Sequence, residues 1–102
     1  MARRITGSVG QGGSNRKDDS MTVQELLNKV PVEEGGPMSP LDVDGFPWQK
    51  TIAAIKNFQR IKVGFKYPDG RVDPNGPTLA ALNEFDAAAV GPGVPLGKAF
   101  LC

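Results

Sequence analysis

Two blocks crowded with Pro and Gly decide what this chain can fold into. Residues 31 to 47, PVEEGGPMSPLDVDGFP, hold four Pro and three Gly, and residues 63 to 76, VGFKYPDGRVDPNG, repeat the pattern on a smaller scale. Neither block can sustain a helix or a central strand, because Pro lacks the amide donor and Gly carries the largest backbone entropy cost. Regular structure is therefore confined to three windows: before residue 31, between 48 and 62, and after 76. In 102 residues with 13 Gly and 9 Pro, that leaves room for two or three helices joined by long loops and one thin core. The expected fold class is all-α.

Within the middle window, Thr51 to Lys62 has the clearest helical period. At about 100° per residue, Ile52, Ile55 and Phe58 fall within an arc of roughly 120°, while Gln49, Lys56, Asn57 and Arg60 face the other way. The first window predicts a helix from the Asp18 to Ser20 region, where any of three residues can cap it, through Val30, with Val23, Leu26, Leu27 and Val30 inward and Pro31 as its stop. The third predicts a helix from Pro77 to Phe85, with Leu79, Leu82 and Phe85 on one face. In the first loop Leu41 and Val43 alternate with Asp42 and Asp44, a pattern that lets both apolar residues plug the core. Residues 1–17 read as a flexible start followed by a strap, 18–86 as the domain, and 87–102 as a tail or linker whose Leu96, Phe100 and Leu101 either fold back or pack on a neighbour.

Charge and reactive residues narrow the chemistry. The net charge is only +1, yet residues 1–17 carry Arg3, Arg4, Arg16 and Lys17 with no acid. From Gln49 to Val72, Lys50, Lys56, Arg60, Lys62, Lys66 and Arg71 face a single acid, Asp69. This is either a solvated helix face or a patch that attracts an anionic polymer. Aromatic residues are not interleaved with it as in single-strand nucleic-acid binders, so nucleic acid is not an expected partner. With no His and only Cys102, a Cys/His zinc site within one chain and an intramolecular disulfide are both excluded. Asp42, Asp44, Asp69 and Asp73 lack calcium-loop spacing. No cofactor, metal or catalytic constellation is expected, and no apolar run reaches the roughly 20 residues of a membrane span.

A near-duplication brings these windows together. Asp44-Gly45 precedes Thr51, and Asp69-Gly70 precedes Thr78. Each Asp-Gly is a turn signal, and each Thr stands near a helix start where its hydroxyl can cap a free amide. Gln59 lies at the edge of the apolar arc, so its amide is expected to bond loop backbone. With VQELLN at 23–28, VDG at 43–45, the spaced Thr51, Ala54, Ile55, Phe58 and Gln59, and DGRVDPNGPTLAALN at 69–83, the chain resembles the peptidoglycan-binding-like domain family over residues 19 to 83. The resemblance implies a three-helix bundle of two repeated turn–helix units that targets bacterial cell wall without catalysis. Asp44, Gly45, Thr51, Gln59, Asp69, Gly70 and Thr78 then hold turns and helix starts. The candidate contact residues for peptidoglycan or its peptide stems are Trp48, Lys56, Arg60, Tyr67 and Arg71.

The first unit departs from the family pattern. It has Trp48-Gln49 where Gly-Pro is usual, while the second keeps Gly76-Pro77. If that Gly served a positive φ, an aromatic there would be strained and the loop Phe46-Pro47-Trp48 reshaped. Trp48 either extends the core stripe or stands exposed as a contact residue. Rival readings are a protein-docking adaptor that kept the fold and lost glycan binding, and an N-terminal targeting fragment of a larger lytic enzyme or secreted effector with a fused catalytic domain. The resemblance implies the bacterial cell envelope as the location, and because the start MARRITGSVGQGG has no signal-peptide apolar region, the expected path there from the cytoplasm is another export route.

Overall fold

The computed structural model describes residues 3–90, with the side chains of residues 3–86. Its elements in chain order are β1 (Val9–Gly10), α1 (Lys17–Asn28), α2 (Gln49–Phe58), β2 (Arg71–Val72) and α3 (Pro77–Val90). A single 3-10 turn spans Val32–Glu34, and a wider π turn, Gln59–Val63, continues α2. The described residues are thus mostly helical but not purely so: β1 pairs antiparallel with β2, Val9 opposite Val72 and Gly10 opposite Arg71. That pairing has no counterpart in the all-α expectation, because two residues are too few to show a period of two.

The helical stripes meet as their spacing requires except in α2, where Ile52 is only half-buried and outside the core and Ala54 takes its place. Val23, Leu26 and Leu27 of α1, Ile55 and Phe58 of α2, and Leu82 of α3 are fully enclosed, with Val30, Ala54 and Leu79 beside them. Phe85 closes one end by packing edge-on to Phe58, ring centres 6.0 Å apart at 74°. The strap completes the core: Ile5 and Val9 are buried, and Val72 is enclosed beneath β1. It begins at Arg3, not midway along the N-terminal segment. There Arg3 N–H donates to Asn83 Oδ1 at 2.8 Å, and Asn83 Nδ2 returns a bond to the Arg3 carbonyl at 3.0 Å.

Several boundaries move for identifiable reasons. α1 starts at Lys17 with Arg16 in the capping position and no side-chain cap. Asp18 and Asp19 instead sit in its first turn, where negative charge suits the helix dipole. α2 starts at Gln49, two residues before the expected start, and ends in the π turn because the Gly64 and Phe65 amides both donate to the Gln59 carbonyl. Leu41 packs against the core, but Val43 is 37% exposed and does not. α3 runs to Val90, past the expected end at Phe85. Leu96, Phe100, Leu101 and Cys102 lie outside the described residues.

Candidate functional site

The duplicated phrase folds into two copies of one hydrogen-bonded clamp, each centred on a buried glutamine. In the second, Gln59 Nε2 donates to Asp69 Oδ1 (2.8 Å), the Arg71 carbonyl (3.0 Å) and Thr78 Oγ1 (3.1 Å), and Gln59 Oε1 accepts from Gly70 N–H (2.9 Å). In the first, Gln24 Nε2 donates to Asp44 Oδ1 (3.1 Å), the Phe46 carbonyl (3.3 Å) and Thr51 Oγ1 (3.2 Å), and Oε1 accepts from Gly45 N–H (3.0 Å). Each Asp also accepts from the amide two residues on, Phe46 at 2.9 Å and Arg71 at 3.0 Å. Two amide protons serve three acceptors in each clamp, so one proton is shared.

The glycines fit for matching reasons. A Cβ on Gly45 would strike Lys17 and Met21, seven and three residues before Gln24. On Gly70 it would meet Ile52 and Lys56, seven and three residues before Gln59. Both have positive φ, 80° and 71°, which L side chains rarely adopt. The two threonines therefore receive a bond from glutamine, in place of the expected role as helix caps. Gln24 went unread in the sequence because the loop between it and Asp44 is twice as long as that between Gln59 and Asp69.

The first clamp forms the base of an open groove of about 1030 Å³. It is lined by the loop from Gly36 to Asp42, by Asp44, Phe46 and Trp48, and by residues of α2 that include the small side chains of Ala53 and Ala54. Both ends of the loop wall are tied down. Asn28 grips Leu41 through two bonds, Nδ2 to its carbonyl at 2.9 Å and Leu41 N–H to Oδ1 at 2.7 Å. Asn57 Nδ2 donates to the Gly35 carbonyl at 3.3 Å. Three of the seven exposed large hydrophobic side chains among the described residues line it: Met38 at 89% exposure, Phe46 at 59% and Trp48 at 58%. Trp48 thus does not extend the Ile52 and Ile55 stripe, and its φ of −92° carries no left-handed strain.

Charge in the groove is mixed. Asp42 and Asp44 line it on the loop side and Lys50 on the helix side. Among the described residues, the side chains of Asp42 and Lys50 have no hydrogen-bond or ion-pair partner. The Phe46 amide and the Gln24 side chain hold the Asp44 carboxyl below its ordinary pKa, against a smaller opposing effect of desolvation. In the second clamp desolvation raises Asp69, but the bonds from Gln59 and the Arg71 amide, with the Arg71 charge, together outweigh it and leave the pKa lowered.

The five candidate contact residues do not converge. Trp48 lines the groove. Arg60 lies just past its end, its Nη2 donating to Asn57 Oδ1 at 2.9 Å. Lys56 turns away and lays its alkyl stem on Gly70. Tyr67 is 82% exposed on the second loop, with Lys66 Nζ 5.7 Å from its ring centre. Arg71 pairs with Asp73 through Nε at 2.9 Å. Phe46, Met38, Asp42 and Lys50 are among the groove residues not picked out as contacts from sequence; the signal for the first was its place near Trp48 in the departing loop.

No family model matches the chain, and no curated protein or solved structure is significantly similar to it. No described helix is long and apolar enough to cross a membrane.

Proposed function

We propose that this protein is a non-catalytic module that binds bacterial peptidoglycan, and that its helices form the two-unit, three-helix architecture implied by the sequence resemblance. The observation that carries the reading is the division of labour at the first unit. The residues of the repeated phrase are consumed in the clamp, while Trp48, Phe46 and Met38 are left facing solvent around an open groove. Exposed aromatic surface clustered at a concave site marks recognition more than folding.

Co-sedimentation with purified insoluble peptidoglycan, paired with a turbidity assay, tests the proposal. The protein is expected to pellet with the wall at low salt and leave the suspension turbid. Failure to pellet favours the adaptor reading, and clearing overturns the non-catalytic one. Trp48→Ala is expected to leave the thermal midpoint within about 2 °C of the parent, since the indole is more than half exposed. The same substitution is expected to weaken wall binding by about 2 kcal/mol. A collapse of stability would show that the indole serves the fold.

A further inference from the structure

Resting on that reading, we propose that the groove takes the peptide stem of the wall polymer rather than its glycan, with a free stem ammonium against Asp42 and Asp44 and a stem carboxylate against Lys50.

Charge complementarity distinguishes the two halves of the polymer. Once its lactyl carboxyl is amide-linked to the stem, the sugar backbone is neutral, so the ionic groups of an unmodified wall lie on the peptides. A neutral sugar bound in this groove would cover Asp42 and Lys50 without supplying a countercharge, and covering unpaired charge is costly. A stem meets both at once. Its diamino residue carries a side-chain ammonium when that residue is not cross-linked, and its D-residues carry carboxylates. The lining holds two acids from the loop and one cation from α2, so one extended zwitterionic peptide can satisfy both charges by charge-assisted hydrogen bonds.

Shape agrees with charge. A volume of about 1030 Å³ lies at the top of the range of about 300–1,000 Å³ typical of small-molecule sites, which suits an extended oligomer. The small side chains of Ala53 and Ala54 let a backbone lie close to α2, and alanine methyls of the stem would meet Trp48, Phe46 and Met38. The walls do not have to be ordered by the ligand, because Asn28 and Asn57 already hold the loop through its Leu41 and Gly35 ends. The bonds from Gln24 and Phe46 leave Asp44 one carboxylate oxygen for a ligand and keep it ionised.

The test measures the full chain against three substrates: intact sacculi, sacculi stripped of stems by an amidase, and sacculi whose free amines have been acetylated. Binding to intact sacculi is expected to fall at least tenfold on stripping and about tenfold on acetylation. Asp42→Asn is expected to weaken binding to intact sacculi about tenfold and to reduce the sensitivity to acetylation, with Asp44 retaining the remainder. Lys50→Gln is expected to weaken binding while retaining that sensitivity. Undiminished binding to stripped strands overturns the stem assignment and leaves wall binding standing. Undiminished binding after acetylation, or an Asp42→Asn variant fully as sensitive to it as the parent, overturns the ammonium placement. No binding to intact sacculi overturns wall binding itself, and the stem assignment with it.

Discussion

Replacing Gln59 by Leu would strand the Gly70 amide, the Thr78 hydroxyl and the Arg71 carbonyl at once. A buried polar group without a partner costs about 1–3 kcal/mol, so Gln59→Leu is expected to lower stability by about 3 kcal/mol or more in urea titration. Gln24→Leu should act in the same direction, and a loss under about 1 kcal/mol for both would mean that the clamps are incidental. Asp19 is a second residue whose chemistry can be read from its partners. Desolvation raises its pKa, but the Thr6 amide and hydroxyl, the Gly7 amide and the Arg16 charge together outweigh this and leave it below the ordinary value of 3.8. A depressed carboxylate pKa stabilises the fold above the ordinary value, and that contribution is lost as pH falls through the lower folded value. Asp86, lowered mainly by its bond from Lys29, and Asp69 act in the same sense. Stability is therefore expected to fall as pH drops below about 4, measured by thermal melts across pH. Asp19→Asn should be less stable than the parent at pH 7 and show a shallower acid limb. The role of Gln59 was legible in part, because its place at the edge of the apolar arc required a polar partner. That of Gln24 was not, since the spacing to its Asp-Gly hides the equivalence.

At the scale of elements, the three helices follow from local pattern and the small sheet does not. A two-residue ladder has little stability of its own, and β1 holds because Val9 is enclosed and the Gln11 amide reaches the Gly70 carbonyl at 2.9 Å. The strap is thereby tied to the second clamp. A methyl group on Gly10 would run into the Gly70 carbonyl and the Ile55 side chain, so Gly10→Ala is expected to detach the strap. Hydrogen exchange should then lose protection at Gln11 and Val72 while α1 stays protected. Equal loss throughout α1 would mean that strap and helices open as one unit. The shift of the α2 start to Gln49 has a consequence for the site, since it makes Trp48 the residue immediately before the helix, where it lines the groove.

For the whole molecule, the basic residues between Gln49 and Val72 are spread around the domain instead of forming one face. Lys62 pairs with Glu34 and Arg71 with Asp73, while Lys56 and Arg60 diverge to either side of α2. Lys56 and Arg60 are therefore expected to aid wall binding through the long-range field and not by contact. Lys56→Glu with Arg60→Glu should weaken binding severalfold at low salt and change it little once screening shortens to about 8 Å near physiological ionic strength. A loss that persists at high salt would make them contact residues. The sequence by itself determined that three helices occupy three windows, most of the face each buries and which Asp-Gly turns repeat, because Pro and Gly break regular structure locally and helical period is written in neighbouring residues. Only the tertiary structure decided that Gln24 matches Gln59, that the N-terminal strap pairs with β2, and that Asp42, Trp48 and Lys50 border one groove. Those relations join residues on separate segments through Asn28, Asn57 and the buried amides, and contacts between distant segments leave no period in the chain.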